Sequence, residues 1–187
     1  MSTAILEIPE VRDRVQRWST KDYERLVEKG VFGKNHELIR GLVIKKMSKS
    51  PLHLSISKRL YDFFLVRVSP EFSVRHEGPL RFADSVPEPD VAIVRGASDD
   101  FLHQHPTAAL LVIEVAVTSV ALDRENASLY AESSIEEYWI VLPRERQIEV
   151  YRRPESGAYR DKFTISAGTL ECAGVAGVCV SLDELFR

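Results

Sequence analysis

Two carboxylates stand in apolar segments of strand length. Asp90 opens the run 90–94, directly after Pro89, and Glu114 lies in the middle of the run 110–117. Short stretches rich in Val and Ile favour β-strands. A carboxylate buried in such a strand is costly unless it is protonated, paired with a cation or bound to a metal. On neighbouring strands, Asp90 and Glu114 would therefore form a metal site.

Simpler interpretations of the same two residues remain open. Asp90 follows a proline and could end a turn, and Glu114 could face solvent on an edge strand, because strand residues alternate between faces. In a purely structural alternative, both carboxylates are paired by arginine and no metal binds. The available partners are Arg75, Arg81 and Arg95.

Size and composition indicate an ordinary soluble protein. A chain of 187 residues, of which 44% are hydrophobic and 28% charged, has the size and composition of one soluble domain. We expect an arm over 1–18 and a single domain over 19–187. The net charge of -3 provides no general attraction to nucleic acid, although a local basic patch would suffice. Cys172 and Cys179 are too few for a tetrahedral zinc site and are expected to be buried thiols.

No membrane segment is expected. The chain has no run of 18 apolar residues, and its first residues lack a basic segment followed by an apolar core. We therefore expect a cytoplasmic protein without a membrane partner.

The first part of the chain predicts two helices separated by a hairpin. Ser19 or Thr20 caps a helix that Gly30 ends, and a hairpin over 37–47 turns at Arg40-Gly41. Ser50-Pro51 begins a second helix that extends to about Ser69. His53 lies in its first turn, where a capping or surface role and a metal-binding role are both open.

The remaining elements predict a central sheet. Strands are expected at 72–77, 80–83, 90–94, 110–117, 137–142, 147–152, 159–163 and within 172–180, with a helix over 119–132 and a helical turn over 181–186. His103 and His105 lie in a polar loop and are expected to be solvated. The strand–helix–strand unit near 110–142 predicts a right-handed crossover. The fold class is therefore α/β or α+β, with a central mixed sheet flanked by helices.

A family resemblance rests on several short matches in a fixed order. They are Glu37-Leu38-Ile39 with Gly41, Met47-Ser48-Lys49-Ser50 with His53, Pro87-Glu88-Pro89-Asp90, 111–115 with Ser119, Asp123-Arg124, Leu129-Tyr130-Ala131, 137–141, and Pro154 with Gly157 and Tyr159. In this order and spacing, over about residues 20–186, the chain resembles the Uma-type restriction endonucleases, a branch of the PD-(D/E)xK nuclease superfamily.

The resemblance implies a restriction-endonuclease-like core that hydrolyses DNA phosphodiester bonds. Asp90 matches the family's PD aspartate, Glu114 the second acidic residue, and Glu37 an acidic residue upstream of the core. Such hydrolysis uses a divalent ion to activate water and neutralise charge. Asp90, Glu114 and the backbone carbonyl of Val115 supply the oxygen ligands that Mg²⁺, or Mn²⁺, prefers.

The chain departs from the pattern at the lysine that holds the attacking water. In the E-x-K spacing that residue is Ala116, and in the family the lysine has moved to the next helix, four residues before Tyr130, where this chain has Asn126. Asparagine is neutral and can only orient a water by hydrogen bonding. Lys45 or Lys46 on the early hairpin could substitute.

Three functional hypotheses follow. The first is a metal-dependent endonuclease acting on DNA. The second is a catalytically weakened or inactive member that serves as a nucleic-acid-binding or protein-interaction module, which Asn126 and the acidic net charge favour. The third is the structural alternative without metal. A homodimer is plausible for the first, because cleavage of a duplex requires a site for each strand.

Overall fold

A computed structural model describes residues 8–33 and 35–187. Contacts divide the chain into two compact units. The first comprises the described residues up to Lys46 together with Ala83–Val86, and the second comprises Met47–Phe82 and Pro87–Arg187. The division into an arm over 1–18 and one domain over 19–187 stays a prediction, and residues 1–7 lie outside the described part.

The first unit contains two helices and a hairpin. They are α1 (Pro9–Arg12), α2 (Thr20–Glu28), β1 (His36–Ile39) and β2 (Leu42–Lys45). Ser19 caps α2 by accepting a hydrogen bond from the Asp22 amide, as its side-chain chemistry predicts. The turn between β1 and β2 has positive φ at Arg40 and Gly41, which confirms the predicted hairpin.

The second unit is built on a six-stranded sheet. Its strands are β3 (Phe72–His76), β4 (Val91–Arg95), β5 (Leu111–Val115), β6 (Glu137–Leu142), β7 (Gln147–Glu155) and β8 (Ala158–Ile165), paired in that order. The helices are α3 (Pro51–Leu65), α4 (Val120–Glu132) and α5 (Leu182–Leu185), with a 3-10 turn over Ser98–Phe101. A separate hairpin joins β9 (Thr169–Glu171) to β10 (Cys179–Ser181).

The predicted strand–helix–strand unit is present, and its right-handedness stays a prediction. Strands β5 and β6 pair in parallel, with Leu111 opposite Glu137 and Val115 opposite Val141, and α4 connects them. The other neighbouring strands of the sheet pair antiparallel, so the sheet is mixed. This confirms the predicted fold class of a mixed sheet flanked by helices.

The main core lies between the sheet and the helices α3 and α5. Leu60 and Phe64 of α3 pack with Ile113, Trp139 and Leu185, and all five are essentially buried. Each such side chain contributes roughly 1.5–3 kcal/mol by leaving water. This packing holds the first turn of α3 against the strands that carry the two carboxylates.

Three sequence predictions were wrong in detail. Residues 80–83 are not a strand. The amides of Leu80 and Arg81 donate to the carbonyls of Pro87 and Pro106, so these backbone groups find their hydrogen-bond partners in loops and not in a neighbouring strand. Helix α3 ends at Leu65 instead of near Ser69. The tail strands lie at 169–171 and 179–181, on either side of the predicted centre.

The expected burial of both thiols is also only half right. Cys172 is buried, whereas Cys179 is exposed, and both are free. Cys179 precedes the buried Val180 on β10, and consecutive strand residues face opposite sides. Across the described ranges 8–33 and 35–187, no helix has the length and apolar character that a membrane span requires.

Candidate active site

Asp90 and Glu114 meet where β4 begins and β5 ends. The antiparallel register places Val91 opposite Ile113, so the next residue outward on each strand, Asp90 and Glu114, also face each other. The Asp90 amide donates to Glu114 Oε2 at 3.3 Å, and the Val115 amide donates to Asp90 Oδ2 at 2.8 Å. The two sequence-predicted carboxylates are therefore brought together.

Asp90 is paired with two cationic or potentially cationic groups. Lys49 Nζ donates to Asp90 Oδ1 at 2.9 Å, and His53 Nε2 lies 3.0 Å from Asp90 Oδ2. The carboxylate is only 4% exposed, and this burial by itself raises its pKa, but His53 and Lys49 more than offset it and lower the pKa below the usual value. Asp90 is thus ionised at neutral pH.

The cation beside Asp90 is a lysine and not an arginine. The sequence suggested Arg75, Arg81 or Arg95, whereas Lys49 makes the contact with Asp90. Arg95 instead lies 3.6 Å from Glu71, and the Arg75 guanidinium lies over the Phe101 ring. The alternative in which arginine pairs with the carboxylates is therefore wrong about the partner of Asp90.

The start of α3 positions both groups. Ser50 caps the helix by accepting a hydrogen bond from the His53 amide at 3.2 Å, and Pro51 occupies the first turn. This places His53 inside the first turn and Lys49 just before the cap. The positive end of the helix dipole thus lies near an ionised carboxylate, which is a favourable arrangement.

A third carboxylate, Glu77, completes the ionic cluster. Lys49 Nζ lies 3.1 Å from Glu77 Oε1, so one ammonium bridges Glu77 and Asp90. Burial by itself lowers the pKa of Lys49, but the charges and hydrogen bonds of Asp90 and Glu77 outweigh it and raise the pKa above its ordinary value. Lys49 is therefore a permanent cation at neutral pH.

Helix α4 contributes to the other side of Glu114. The Tyr130 hydroxyl donates to Glu114 Oε1 at 2.9 Å. Asn126 lies four residues earlier on α4, hence on the same helix face as Tyr130, and is only 5% exposed. The position where the resemblance places a lysine thus carries a buried neutral amide.

The donor set suits a hard divalent ion. Asp90 and Glu114 offer carboxylate oxygens, and the carbonyl of Val115 lies on the same side of β5 as its amide, which contacts Asp90. Mg²⁺ commonly takes one or two carboxylates and keeps several waters. In residues 8–33 and 35–187, no group of three or more His, Cys, Asp or Glu side chains is arranged to hold a metal. A site here would therefore rely on water and substrate oxygens.

Several predicted site residues belong to the first unit. Glu37 lies on β1, Lys45 ends β2 and Lys46 follows it. Their part in the site stays a prediction, as does that of Asn126.

Sequence reasoning missed Lys49 and Glu77 as site residues. Lys49 appeared only within a matched motif, four residues before His53, and that spacing was an available signal. Glu77 had no signal, because its role depends on Lys49, which lies 28 positions earlier in the chain.

Comparisons with known proteins agree with the fold and the resemblance. The solved structure of a "putative nuclease belonging to DUF820" from Anabaena variabilis ATCC 29413 is similar, with a TM-score of 0.71 and 18% identity. The match covers 86% of this chain and 96% of that chain. At this identity the likeness demonstrates a shared fold. No curated protein matches the sequence.

The model of the Uma2 family, described as "Putative restriction endonuclease", matches residues 21–177. This range includes both carboxylates, Lys49 and the whole six-stranded sheet. Membership supports a nuclease-type function. The chain therefore belongs to the Uma2 family.

Proposed function

We propose that the protein is a metal-dependent endonuclease that hydrolyses DNA phosphodiester bonds. The observation that carries the proposal is the meeting of Asp90 and Glu114 at the ends of two paired strands. Two adjacent carboxylates repel each other, and a divalent ion between them would relieve that repulsion. Family membership supports the same class of reaction.

A bound Mg²⁺ or Mn²⁺ would lower the pKa of a water molecule and neutralise charge on the phosphate. Asp90, Glu114 and the Val115 carbonyl would hold the ion. The Tyr130 hydroxyl, 2.9 Å from Glu114 Oε1, fixes the orientation of that carboxylate. The contact between His53 and Asp90 does the same for the other carboxylate.

The reaction joins the oxygen of water to phosphorus and breaks one phosphorus–oxygen ester bond of the DNA backbone. The proton of the water passes to solvent, and the departing sugar oxygen takes a proton from solvent. Asn126 would orient the water through its amide, and Glu37 would assist, with Lys45 or Lys46 as candidate cations. DNA is the proposed partner, and a cytoplasmic homodimer would present one site to each strand.

The test is cleavage of supercoiled plasmid DNA in Mg²⁺ and in Mn²⁺. Wild type is compared with Asp90→Asn and Glu114→Gln, which keep the shape of each side chain and remove its charge. Asp161→Asn is the matched control, because Asp161 pairs with Arg153 on the exposed β7–β8 hairpin. We expect a loss of at least about a thousandfold for the first two and none for the control. Wild type without cleavage in either metal would overturn the proposal.

A catalytically inactive, nucleic-acid-binding or protein-interaction module is the second candidate. The buried Asn126 at the position of the family lysine favours it. Under this alternative, wild type is inactive with both metals and Asn126→Lys gains cleavage. Activity of wild type that is lost in Asp90→Asn would exclude it.

A further inference from the structure

We propose that Lys49 supplies the positive charge that other members place on the helix at the position of Asn126, so that the water-holding lysine comes from the segment before α3. This inference rests on the proposed nuclease function. It assigns Lys49 as a catalytic residue that contacts the attacking water or a phosphate oxygen.

The hydrogen-bonding capacity of Lys49 supports this role. An ammonium group has three N–H donors. Asp90 Oδ1 at 2.9 Å and Glu77 Oε1 at 3.1 Å accept two of them. The side chain is 19% exposed, so it reaches solvent beside the carboxylate pair. The third donor is therefore available to a water or phosphate oxygen next to the ion that Asp90 would hold.

The position of the charge is fixed from two directions. Glu77 has a left-handed backbone, with φ of 52°, and its amide donates to the Asp90 carbonyl at 3.0 Å. Glu77 is one of six described residues other than glycine that have a positive φ. Here it places a second acceptor for Lys49 beside Asp90. Lys49 thus lies between two carboxylates.

Asn126 and His53 do not meet the requirements of this role. Asn126 is neutral and buried. His53 Nε2 contacts the opposite oxygen of Asp90, 3.0 Å away, and its Nδ1 is buried without a hydrogen-bond partner. Lys49 is thus the lysine whose ammonium contacts Asp90.

The experiment compares wild type with Lys49→Met, which removes the charged group and keeps most of the length of the side chain. Lys58→Met is the matched control, since Lys58 is an exposed lysine of α3 that pairs with Asp62. Two quantities are measured: plasmid cleavage in Mg²⁺, and the affinity for Mn²⁺ of the protein without DNA, by calorimetry. Thermal unfolding verifies that each variant is folded, and Lys49→Gln replaces Lys49→Met if the latter does not fold.

The two readouts are expected to move in opposite directions. Loss of the catalytic cation lowers cleavage by at least about a hundredfold. Loss of a positive charge beside the metal ligands strengthens Mn²⁺ binding by about tenfold, because like charges repel. Lys49→Arg keeps the charge and should stay within about tenfold of wild type in both measurements.

Three results would contradict the inference. Unchanged cleavage by Lys49→Met would show that Lys49 takes no part in the reaction. Parallel loss of cleavage and of Mn²⁺ affinity would show that Lys49 only maintains the shape of the site. Wild type that binds Mn²⁺ but cleaves no DNA would overturn the proposed function, and with it the role of Lys49, in a way distinct from the first two.

Discussion

Glu137 and Glu114 lie on adjacent strands of the sheet, but their carboxylates have different surroundings. Glu137, on β6, is fully buried, and its Oε1 accepts from Trp139 Nε1 at 2.8 Å and Arg152 Nε at 2.7 Å. Its Oε2 accepts from the amides of Ala173 at 2.7 Å and Gly174 at 3.3 Å. Each oxygen thus has two donors, and one of the four comes from a charged group.

Glu114, on β5, lies beside another carboxylate and is only partly buried. Its neighbour Asp90 contacts the ammonium group of Lys49, the ring of His53 and the amide of Val115. All four donors to Glu137 are protein groups in fixed positions, whereas Asp90 and Glu114 lie beside each other and beside a partly exposed lysine. The difference is consistent with a structural role for Glu137 and with the metal-binding role that we propose for Asp90 and Glu114.

Exchange of these carboxylates for their amides tests the comparison most strongly. Glu137→Gln places an NH₂ group against donors and leaves the charge of Arg152 unpaired, so the free energy of unfolding should fall by about 3–5 kcal/mol. Glu114→Gln should change it by less than about 1 kcal/mol, because it also removes repulsion from Asp90. Urea denaturation of both variants at pH 7 measures the difference. Equal losses would mean that the two carboxylates have the same structural role.

A third carboxylate, Glu149, sharpens the comparison through its pH dependence. Arg124 binds it in a bidentate pair, and these hydrogen bonds, although opposed by burial, lower the pKa of Glu149 below the ordinary 4.5. A lowered pKa stabilises the fold above the ordinary value, and this contribution disappears as the pH falls through the folded-state pKa.

We therefore expect Glu149→Gln to lower the free energy of unfolding by about 1–2 kcal/mol at pH 7. The difference in this free energy between the variant and wild type should narrow below about pH 4.5. Urea midpoints measured between pH 7 and pH 3 test this expectation. Asp161→Asn, at an exposed ion pair, is the control and should show a much smaller gap. A gap that stays constant with pH would contradict the assigned cause.

The smallest expected effect concerns a single hydroxyl. Tyr130→Phe removes the donor to Glu114, whereas Tyr159→Phe removes an equivalent hydrogen bond, at 2.9 Å, to the Ile135 carbonyl. Tyr130→Phe should lower cleavage by about tenfold and change stability by less than about 1 kcal/mol, because water can reach Glu114. Tyr159→Phe should leave cleavage unchanged. Equal cleavage by both variants would mean that the Tyr130 hydroxyl takes no part in the function of the site.

Local signals determined most of the elements. Ser19 and Ser50 mark helix starts, Arg40-Gly41 marks a tight turn, and the apolar runs around Asp90 and Glu114 mark strands. Capping, turn geometry and side-chain periodicity act over a few residues, so the sequence reveals them directly. The segment 80–83 has the same alternating pattern but no strand partner, because pairing depends on distant residues.

The sequence by itself thus determined the fold class, the family resemblance and the two carboxylates that belong together. Only the tertiary structure decided which cation accompanies them. Lys49 reaches Asp90 across 41 positions of the chain, and Glu77 reaches Lys49 through a left-handed turn. The spacing between Lys49 and His53 was a local signal, but it does not encode these contacts, because the packing of α3 against the sheet brings the partners together.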